Sequence, residues 1–135
     1  MAETTRDIKS AGPSAWPGDP IGLRRHTPAA GQVVVEVSGE VDMLTSPQLR
    51  ATVLDQLVPE AGTRLLVLDL SGVEFLGTSG LAVLIQVREA VTDARSTLAL
   101  VCTSRTVLRP LTAAGLTPLF TIHDTLEDAL ATQPA

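Results

Sequence analysis

The sequence contains few aromatic residues and almost no cysteine, and both shortages restrict what the protein can be. Aromatic residues make up 2% of its 135 residues and tyrosine is absent, so the core must consist of aliphatic side chains. A single cysteine, Cys102, excludes an internal disulfide and a thiolate metal cluster. Because Cys102 lies in the apolar run 98–102, we expect a small buried hydrophobic residue rather than a nucleophile.

Long apolar runs and basic clusters are missing as well. No stretch approaches the roughly 20 apolar residues of a membrane span, and residues 1–20 lack the apolar segment of a signal peptide. We therefore expect a cytoplasmic protein that does not associate with membranes. The net charge of −5, without a basic surface carrying stacking aromatics, argues against nucleic-acid binding. Neither a metal site nor a bound cofactor is expected.

What the sequence does contain is a regular alternation of strand-type and helix-type segments. Residues 1–20, rich in proline and scattered charge, are predicted to be a flexible N-terminal tail, and residues 21–135 are predicted to be a single domain. Strands that alternate with helices imply parallel crossovers, and an opening hairpin adds an antiparallel pair. The predicted fold is α/β, with a mixed sheet of about five strands and about four helices.

The predicted elements follow from hydrophobic periodicity and from capping residues. Thr45, Ser104 and Asp124 are the predicted helix caps, and Pro110 is expected to kink or delay the third helix. Strands are predicted over Ile21–His26 and residues 32–37, 64–70, 97–102 and 119–122, and helices over about residues 46–57, 79–93, 104–113 and 125–131.

The most informative segment is Gly77-Thr78-Ser79-Gly80, which follows a buried strand and opens an amphipathic helix. It places two hydroxyls, those of Thr78 and Ser79, where a helix exposes unpaired N–H groups and a partial positive charge. The same donors would favour a phosphoryl group at this position. The spacing leaves two interpretations open, an ordinary helix cap and a phosphorylation switch.

Catalytic interpretations of this region fit poorly, and no catalytic residue is predicted. Residues 72–79 nearly match a phosphate-binding loop, but Thr78 stands where that loop requires lysine. In residues 77–81 the second glycine comes one position too early for a hydrolase nucleophile turn. Glu40 and Asp42, two positions apart, could share a face and hold a cation or act as an acid–base pair, but such pairs are more often solvated strand ends.

A phosphate at the helix start would act on a partner more than on the fold. It adds about −1.5 to −2 charges and, at an exposed helix N-terminus, gains roughly 0.3–1 kcal/mol from the helix dipole. A docked partner would have to bury it, which costs several kcal/mol when the charge is unpaired. A loss of about 2.8 kcal/mol already weakens binding a hundredfold. Such a switch needs no conformational change.

Over about residues 21–132 the sequence resembles the STAS domains and, among them, the stand-alone bacterial anti-sigma factor antagonists. The order and spacing of several short segments make this resemblance specific. These segments are Ser38-Gly39-Glu40-Val41-Asp42 followed by Thr45, residues 67–73, Thr78-Ser79-Gly80-Leu81, residues 107–116, residues 119–122 and residues 126–130.

The resemblance implies a regulatory binding protein rather than an enzyme. In that family a kinase-type anti-sigma factor binds the antagonist, releases its sigma factor and can phosphorylate the antagonist, and a phosphatase reverses the modification. Carried over to this sequence, the phosphoacceptor falls on Thr78, with Ser79 as the alternative, and Asp42 falls on the acidic residue of the nearby loop. Residues predicted to contact the partner are Glu40, Asp42, Thr45, Gly77, Ser79, Gly80 and Leu81.

One position departs from the family pattern. The family commonly has aspartate immediately before the acceptor, whereas this sequence has Gly77. Losing that negative charge alters what a kinase would recognise, and glycine also frees the backbone. The alternative is therefore a STAS module that is not phosphorylated and acts as a scaffold or as a constitutive antagonist.

Overall fold

The structure is a computed structural model that describes residues 21–132. The tail predicted for residues 1–20 lies outside the described residues, as do residues 133–135. The nine helices and strands of the described part alternate along the chain, as the sequence predicts. The strands are β1 (Ile21–His26), β2 (Gln32–Val41), β3 (Leu65–Leu76), β4 (Thr97–Val101) and β5 (Ile122–His123), and the helices are α1 (Ser46–Asp55), α2 (Thr78–Asp93), α3 (Arg105–Ala113) and α4 (Leu126–Leu130).

The five strands form one mixed sheet in the order β1-β2-β3-β4-β5. β1 is antiparallel to β2, and the remaining neighbours are parallel. The predicted α/β fold with a mixed five-stranded sheet and four helices is confirmed. β2 and β3 stay paired up to Val41 and Leu76, with irregularities in register near Ser38 and Gly39. The segments that follow β2 and β3 therefore begin side by side at one edge of the sheet.

The core consists of two layers of aliphatic side chains, one on each face of the sheet. Helices α1, α2 and α3 pack on one face through residues such as Val53, Leu84 and Leu111. Helix α4 covers part of the other face, where Ala129 packs against a smaller cluster. The first four residues of β3 are completely buried, as expected of a strand covered on both sides. That smaller cluster contains Val34, Leu65, Val67, Ala99, Val101 and Ala129.

Three predicted strand boundaries are wrong. β2 and β3 continue well beyond residues 37 and 70, because their register irregularities let pairing resume after each shift. The strand predicted over residues 119–122 is reduced to Ile122–His123, and a 3₁₀ turn occupies Thr117–Leu119 instead. Proline accounts for this turn, because the ring of Pro118 lacks an N–H group and its fixed φ suits the first turn of a helix.

The predicted caps are corrected in a similar way. Thr125, not Asp124, caps α4, and its hydroxyl accepts a hydrogen bond from the N–H of Asp128 at 3.1 Å. Thr45 and Ser104 occupy cap positions, but neither side chain makes a capping hydrogen bond. Helix α3 continues through Pro110 and ends at Ala113, close to the predicted boundary.

Removing a buried leucine should destabilise this fold far more than removing an exposed one. Leu68 in β3 is 0% exposed, whereas Leu119 in the 3₁₀ turn is 42% exposed. We expect Leu68→Ala to lower the free energy of unfolding by about 2–5 kcal/mol, because it leaves a cavity between the sheet and the helices that pack on that face. Leu119→Ala should change it by less than about 0.5 kcal/mol. Urea denaturation measures both, and equal losses would contradict the described packing.

Cys102 should make stability depend on pH at alkaline values. Burial, with smaller contributions from the charges of Asp69 and Asp124, raises the pKa of this thiol from 9.0 to about 11. The unfolded chain therefore loses this proton first as the pH rises, so the thiol's contribution to stability is complete below pH 9.0 and is lost towards pH 11. Urea denaturation between pH 8 and pH 11 should show this loss in the wild type and a smaller one in Cys102→Ala. Identical profiles would refute it.

Candidate functional site

The candidate site lies where β2 and β3 end and where α1 and α2 begin. The N–H of Gly77, the residue between β3 and α2, donates to the carbonyl of Val41 at 2.9 Å. This bond continues the strand pairing by one residue and fixes the start of α2 against the end of β2. All residues predicted from the sequence to contact a partner or to carry a phosphate belong to this region.

The loop between β2 and α1 is closed by its own side chains. One carboxylate oxygen of Asp42 accepts the N–H groups of Leu44 and Thr45, at 2.9 and 3.1 Å. The hydroxyl of Thr45 accepts the N–H of Asp42 at 2.9 Å and donates to the carbonyl of Glu40 at 2.8 Å. Thr45 is buried and Asp42 is half-buried. Both side chains therefore shape the loop, and they hold Met43 and Leu44 at its tip.

A second set of bonds connects this loop to α2. The hydroxyl of Ser46, the first residue of α1, donates to the carbonyl of Asp42 at 2.5 Å and is hydrogen-bonded to the hydroxyl of Ser79 at 3.2 Å. Reasoning from the sequence missed Ser46, because the Ser46–Ser79 contact joins residues 33 positions apart. The hydroxyl of Ser79 is thus part of the contact between the two helix starts.

The hydroxyl of Thr78, unlike that of Ser79, makes no such contact within the described part of the chain. Thr78 is the first residue of α2 and is exposed, and its hydroxyl has no hydrogen-bond partner among residues 21–132. Ser79 is half-buried and already bonded. Of the two hydroxyls that the sequence suggested, only that of Thr78 is open to a modifying enzyme without breaking a contact.

The two glycines that flank Thr78 and Ser79 serve different purposes. Gly80 is buried, and a Cβ there would lie 2.6 Å from Leu76 Cδ1 and 2.8 Å from Val41 Cγ1, so the absence of a side chain lets α2 approach the sheet closely. Gly77 is the N-cap, with φ −89° and ψ −179°, an extended backbone that any residue adopts. It provides no side-chain cap, so the first amides of α2 remain without one.

The segments next to Thr78 and in the facing loop expose apolar and acidic side chains. Met43, Leu44 and Phe75 are 77%, 84% and 50% exposed. Glu40 and Glu74 are also exposed, and neither residues 40–49 nor residues 71–87 contain a basic residue. Leu81, half-buried, packs against the main core cluster.

Within the described part of the chain, nothing indicates a metal centre or a membrane span. No group of three or more His, Cys, Asp or Glu side chains in residues 21–132 is placed to hold a metal ion. Asp42, which the sequence paired with Glu40 as a candidate cation site, instead uses a carboxylate oxygen for backbone contacts of its own loop. No helix in the same range is long and apolar enough to cross a membrane.

Known proteins share this architecture. The family model of the STAS domain matches residues 24–129. The anti-sigma-F factor antagonist RsfB of Mycobacterium tuberculosis is 34% identical over 100 residues, which cover 74% of this chain and 80% of RsfB. The crystal structure of an anti-sigma factor antagonist from Mycobacterium paratuberculosis superposes with a TM-score of 0.74 at 34% identity and covers 84% of this chain and 93% of that one.

The same fold occurs in the Bacillus cell fate determinant SpoIIAA in its phosphorylated form, with a TM-score of 0.63 and 18% identity over 81% of this chain and 96% of that one. At this identity the likeness concerns the fold alone. The match to the family model and the identity to RsfB carry the assignment, and they confirm the resemblance recognised in the sequence. The chain belongs to the STAS domain family.

Proposed function

We propose that this protein is an anti-sigma factor antagonist. It binds a serine/threonine-kinase-type anti-sigma factor, so that the sigma factor is released, and phosphorylation of Thr78 ends the interaction. A phosphatase restores the binding form. The protein acts in the cytoplasm on a protein partner, and it requires no cofactor, nucleic acid or membrane.

The relatives support the general part of this proposal. Both proteins at 34% identity are named as anti-sigma factor antagonists, and the matching segments extend over most of either protein. Their names describe regulation through binding, not catalysis.

The single observation that supports the switch is the setting of Thr78. Its hydroxyl is exposed and without a hydrogen bond in the described range, at the start of a helix whose N-cap, Gly77, offers no side-chain oxygen. A phosphate on Thr78 would meet unpaired amides and the positive end of the helix dipole, so the fold should tolerate it. Ser79 is the weaker candidate, since modification would break its bond to Ser46.

The surroundings of Thr78 explain how a phosphate would end binding. The docking surface consists of the α2 face over residues 78–90 together with the loop over residues 40–45. This surface displays Met43 and Leu44, and Phe75 lies beside it, paired with Glu40 at the end of β3. A partner would cover and dehydrate these exposed side chains. A phosphate covered by a partner here would find no counter-charge in residues 40–49 or 71–87, which contain no lysine or arginine, and an unpaired buried charge is costly.

Gly77 favours a second candidate function, an antagonist or scaffold that is never phosphorylated. An acidic residue before the acceptor is a feature that a kinase can recognise, and here the N-cap carries no side chain. In this alternative the same surface binds the same class of partner, and Thr78 contributes only an uncharged contact.

Introducing a negative charge at position 78 should weaken binding to the partner. The probes are the kinase-type anti-sigma factors encoded in the source organism, purified individually and titrated with the full-length protein by isothermal calorimetry. We expect Thr78→Asp to weaken the binding of the cognate factor by about a hundredfold, which corresponds to about 2.8 kcal/mol. Thr78→Ala should bind as the wild type does.

Thr78→Asn is the matched control, because asparagine has the shape of aspartate without its charge. It should retain most of the affinity if charge is the cause. Equal affinity of Thr78→Asp and wild type would refute the switch, while equal losses for aspartate and asparagine would indicate a steric effect. Wild-type protein that binds none of the anti-sigma factors would refute the antagonist function itself.

Phosphosite mapping of the protein isolated from its own cells decides between the two candidate functions. Trypsin cleaves after Arg64 and Arg88 and releases residues 65–88 as one peptide that contains both hydroxyls. The peptide also contains Ser71. We expect phosphate on Thr78, with fragment ions that separate it from Ser71 and Ser79. An unmodified peptide under both growth and stress would favour the constitutive antagonist or scaffold.

A further inference from the structure

We propose that Phe75 is the side chain by which the partner recognises this particular antagonist, and that Gly77 is a positioning residue that holds the Phe75 ring in place. The occupant of this surface is the anti-sigma factor, presenting an apolar pocket bordered by basic side chains. The inference rests on the proposed function and adds to it the chemistry of the partner's surface.

Phe75 is a large apolar side chain that is half exposed near the end of β3. Five large hydrophobic side chains are exposed among residues 21–132, and three of them, Met43, Leu44 and Phe75, flank the candidate site. Phe75 is the penultimate residue of β3 and pairs in register with Glu40, two residues before the loop that carries the other two. Aromatic residues and methionine are enriched at the centres of protein interfaces, where few side chains provide most of the affinity.

The proximity of the Phe75 ring to Gly77 gives a reason for the lack of a side chain at position 77. The backbone of Gly77 is extended and open to every residue type, so its conformation does not require glycine. A Cβ at this position, however, would lie 3.1 Å from Cε2 and 3.4 Å from Cζ of Phe75. Carbon atoms in good contact are about 3.5–4.0 Å apart, so a side chain at position 77 would push the ring aside by a few tenths of an ångström. Residue 77 thus limits where the exposed ring can lie.

The charges around the ring indicate the chemistry of the partner. The ionisable neighbours of Phe75 in the chain and across the β2–β3 pairing are Glu74 and Glu40, both of them acidic. Because residues 40–49 and 71–87 include no lysine or arginine, nothing in these two segments neutralises them. A partner that covers this surface should carry basic side chains around an apolar pocket, since complementary charges assist association.

The same placement links the apolar contact to the phosphorylation switch. The Phe75 ring rests on Gly77, and Thr78 follows directly in the chain. A partner pocket that closes over the ring must also exclude water from the Thr78 side chain. A phosphate there would enter the part of the interface that is most fully dehydrated, where an unpaired charge is most costly.

The claim that Gly77 positions the Phe75 ring can be tested without any partner, by NMR of the full chain. The sequence has two phenylalanines and no tyrosine, so the phenylalanine ring signals can be assigned with one Phe120→Leu variant. In the wild type we expect nuclear Overhauser effects between the Phe75 ring and the Hα protons of Gly77. Gly77→Ala should shift the Phe75 ring signals and leave those of Phe120 in place. Ring signals of Phe75 that do not respond to Gly77→Ala would overturn the positioning role.

The claim that the partner recognises Phe75 is tested by titration with the anti-sigma factor that binds the wild type best. We expect Phe75→Ala to weaken binding at least about tenfold, as for a central interface residue, and Phe75→Leu to weaken it less. Gly77→Ala should also weaken binding, but it should have little further effect when combined with Phe75→Ala, because the two residues act through one ring. Leu119→Ala, which removes an exposed apolar side chain outside the site, should bind as the wild type does.

The outcomes separate this inference from the proposed function. If Thr78→Asp abolishes binding while Phe75→Ala and Gly77→Ala bind normally, the antagonist function stands and the inference is wrong. Additive losses for Gly77→Ala and Phe75→Ala would overturn the positioning role and retain Phe75 as an independent contact. A wild-type protein that binds no anti-sigma factor would overturn both. Urea denaturation of each variant excludes unfolding as the cause of a loss.

Discussion

The parallel pairing of β2 and β3 up to their last residues is the constraint on which the site depends. Val41 pairs with Leu76, and the N–H of Gly77 then donates to the carbonyl of Val41. This pairing brings two helix starts together, although they are far apart in the sequence. Gly80 makes the arrangement closer still, because its missing side chain lets α2 approach Val41. The proposed docking surface is therefore a direct product of the sheet.

Four side-chain hydroxyls lie where β2 and β3 end, and three of them make hydrogen bonds that stabilise the local structure. Those of Thr45, Ser46 and Ser79 are bonded to the loop, to the backbone or to each other, whereas that of Thr78 has no partner in the described range. A surface held by its own hydrogen bonds loses little conformational entropy when a partner docks. This division of roles fits a switch that acts through charge on a surface of fixed shape.

Features that depend on local sequence were predictable, and features that depend on distant contacts were not. Strand and helix alternation follows from hydrophobic periodicity, and Ile21–His26 was predicted to the residue. The extension of β3 to Leu76 was missed because it depends on pairing with β2 across irregular register, which periodicity does not encode. The sequence also could not distinguish Thr78 from Ser79, because that distinction depends on Ser46, 33 residues from Ser79.

The absence of a side chain at position 77 has two consequences that act in the same direction. An uncapped helix start leaves its first amides unpaired, so a phosphate on Thr78 would be the first strong acceptor they meet. The missing side chain also leaves room for the Phe75 ring, so the surface next to the acceptor is apolar. Phosphorylation would therefore give the amides at the start of α2 a negatively charged acceptor. It would at the same time weaken the binding of an apolar partner to the same surface. Stability and affinity would change in opposite directions, so the proposed switch would end binding without any cost to the fold.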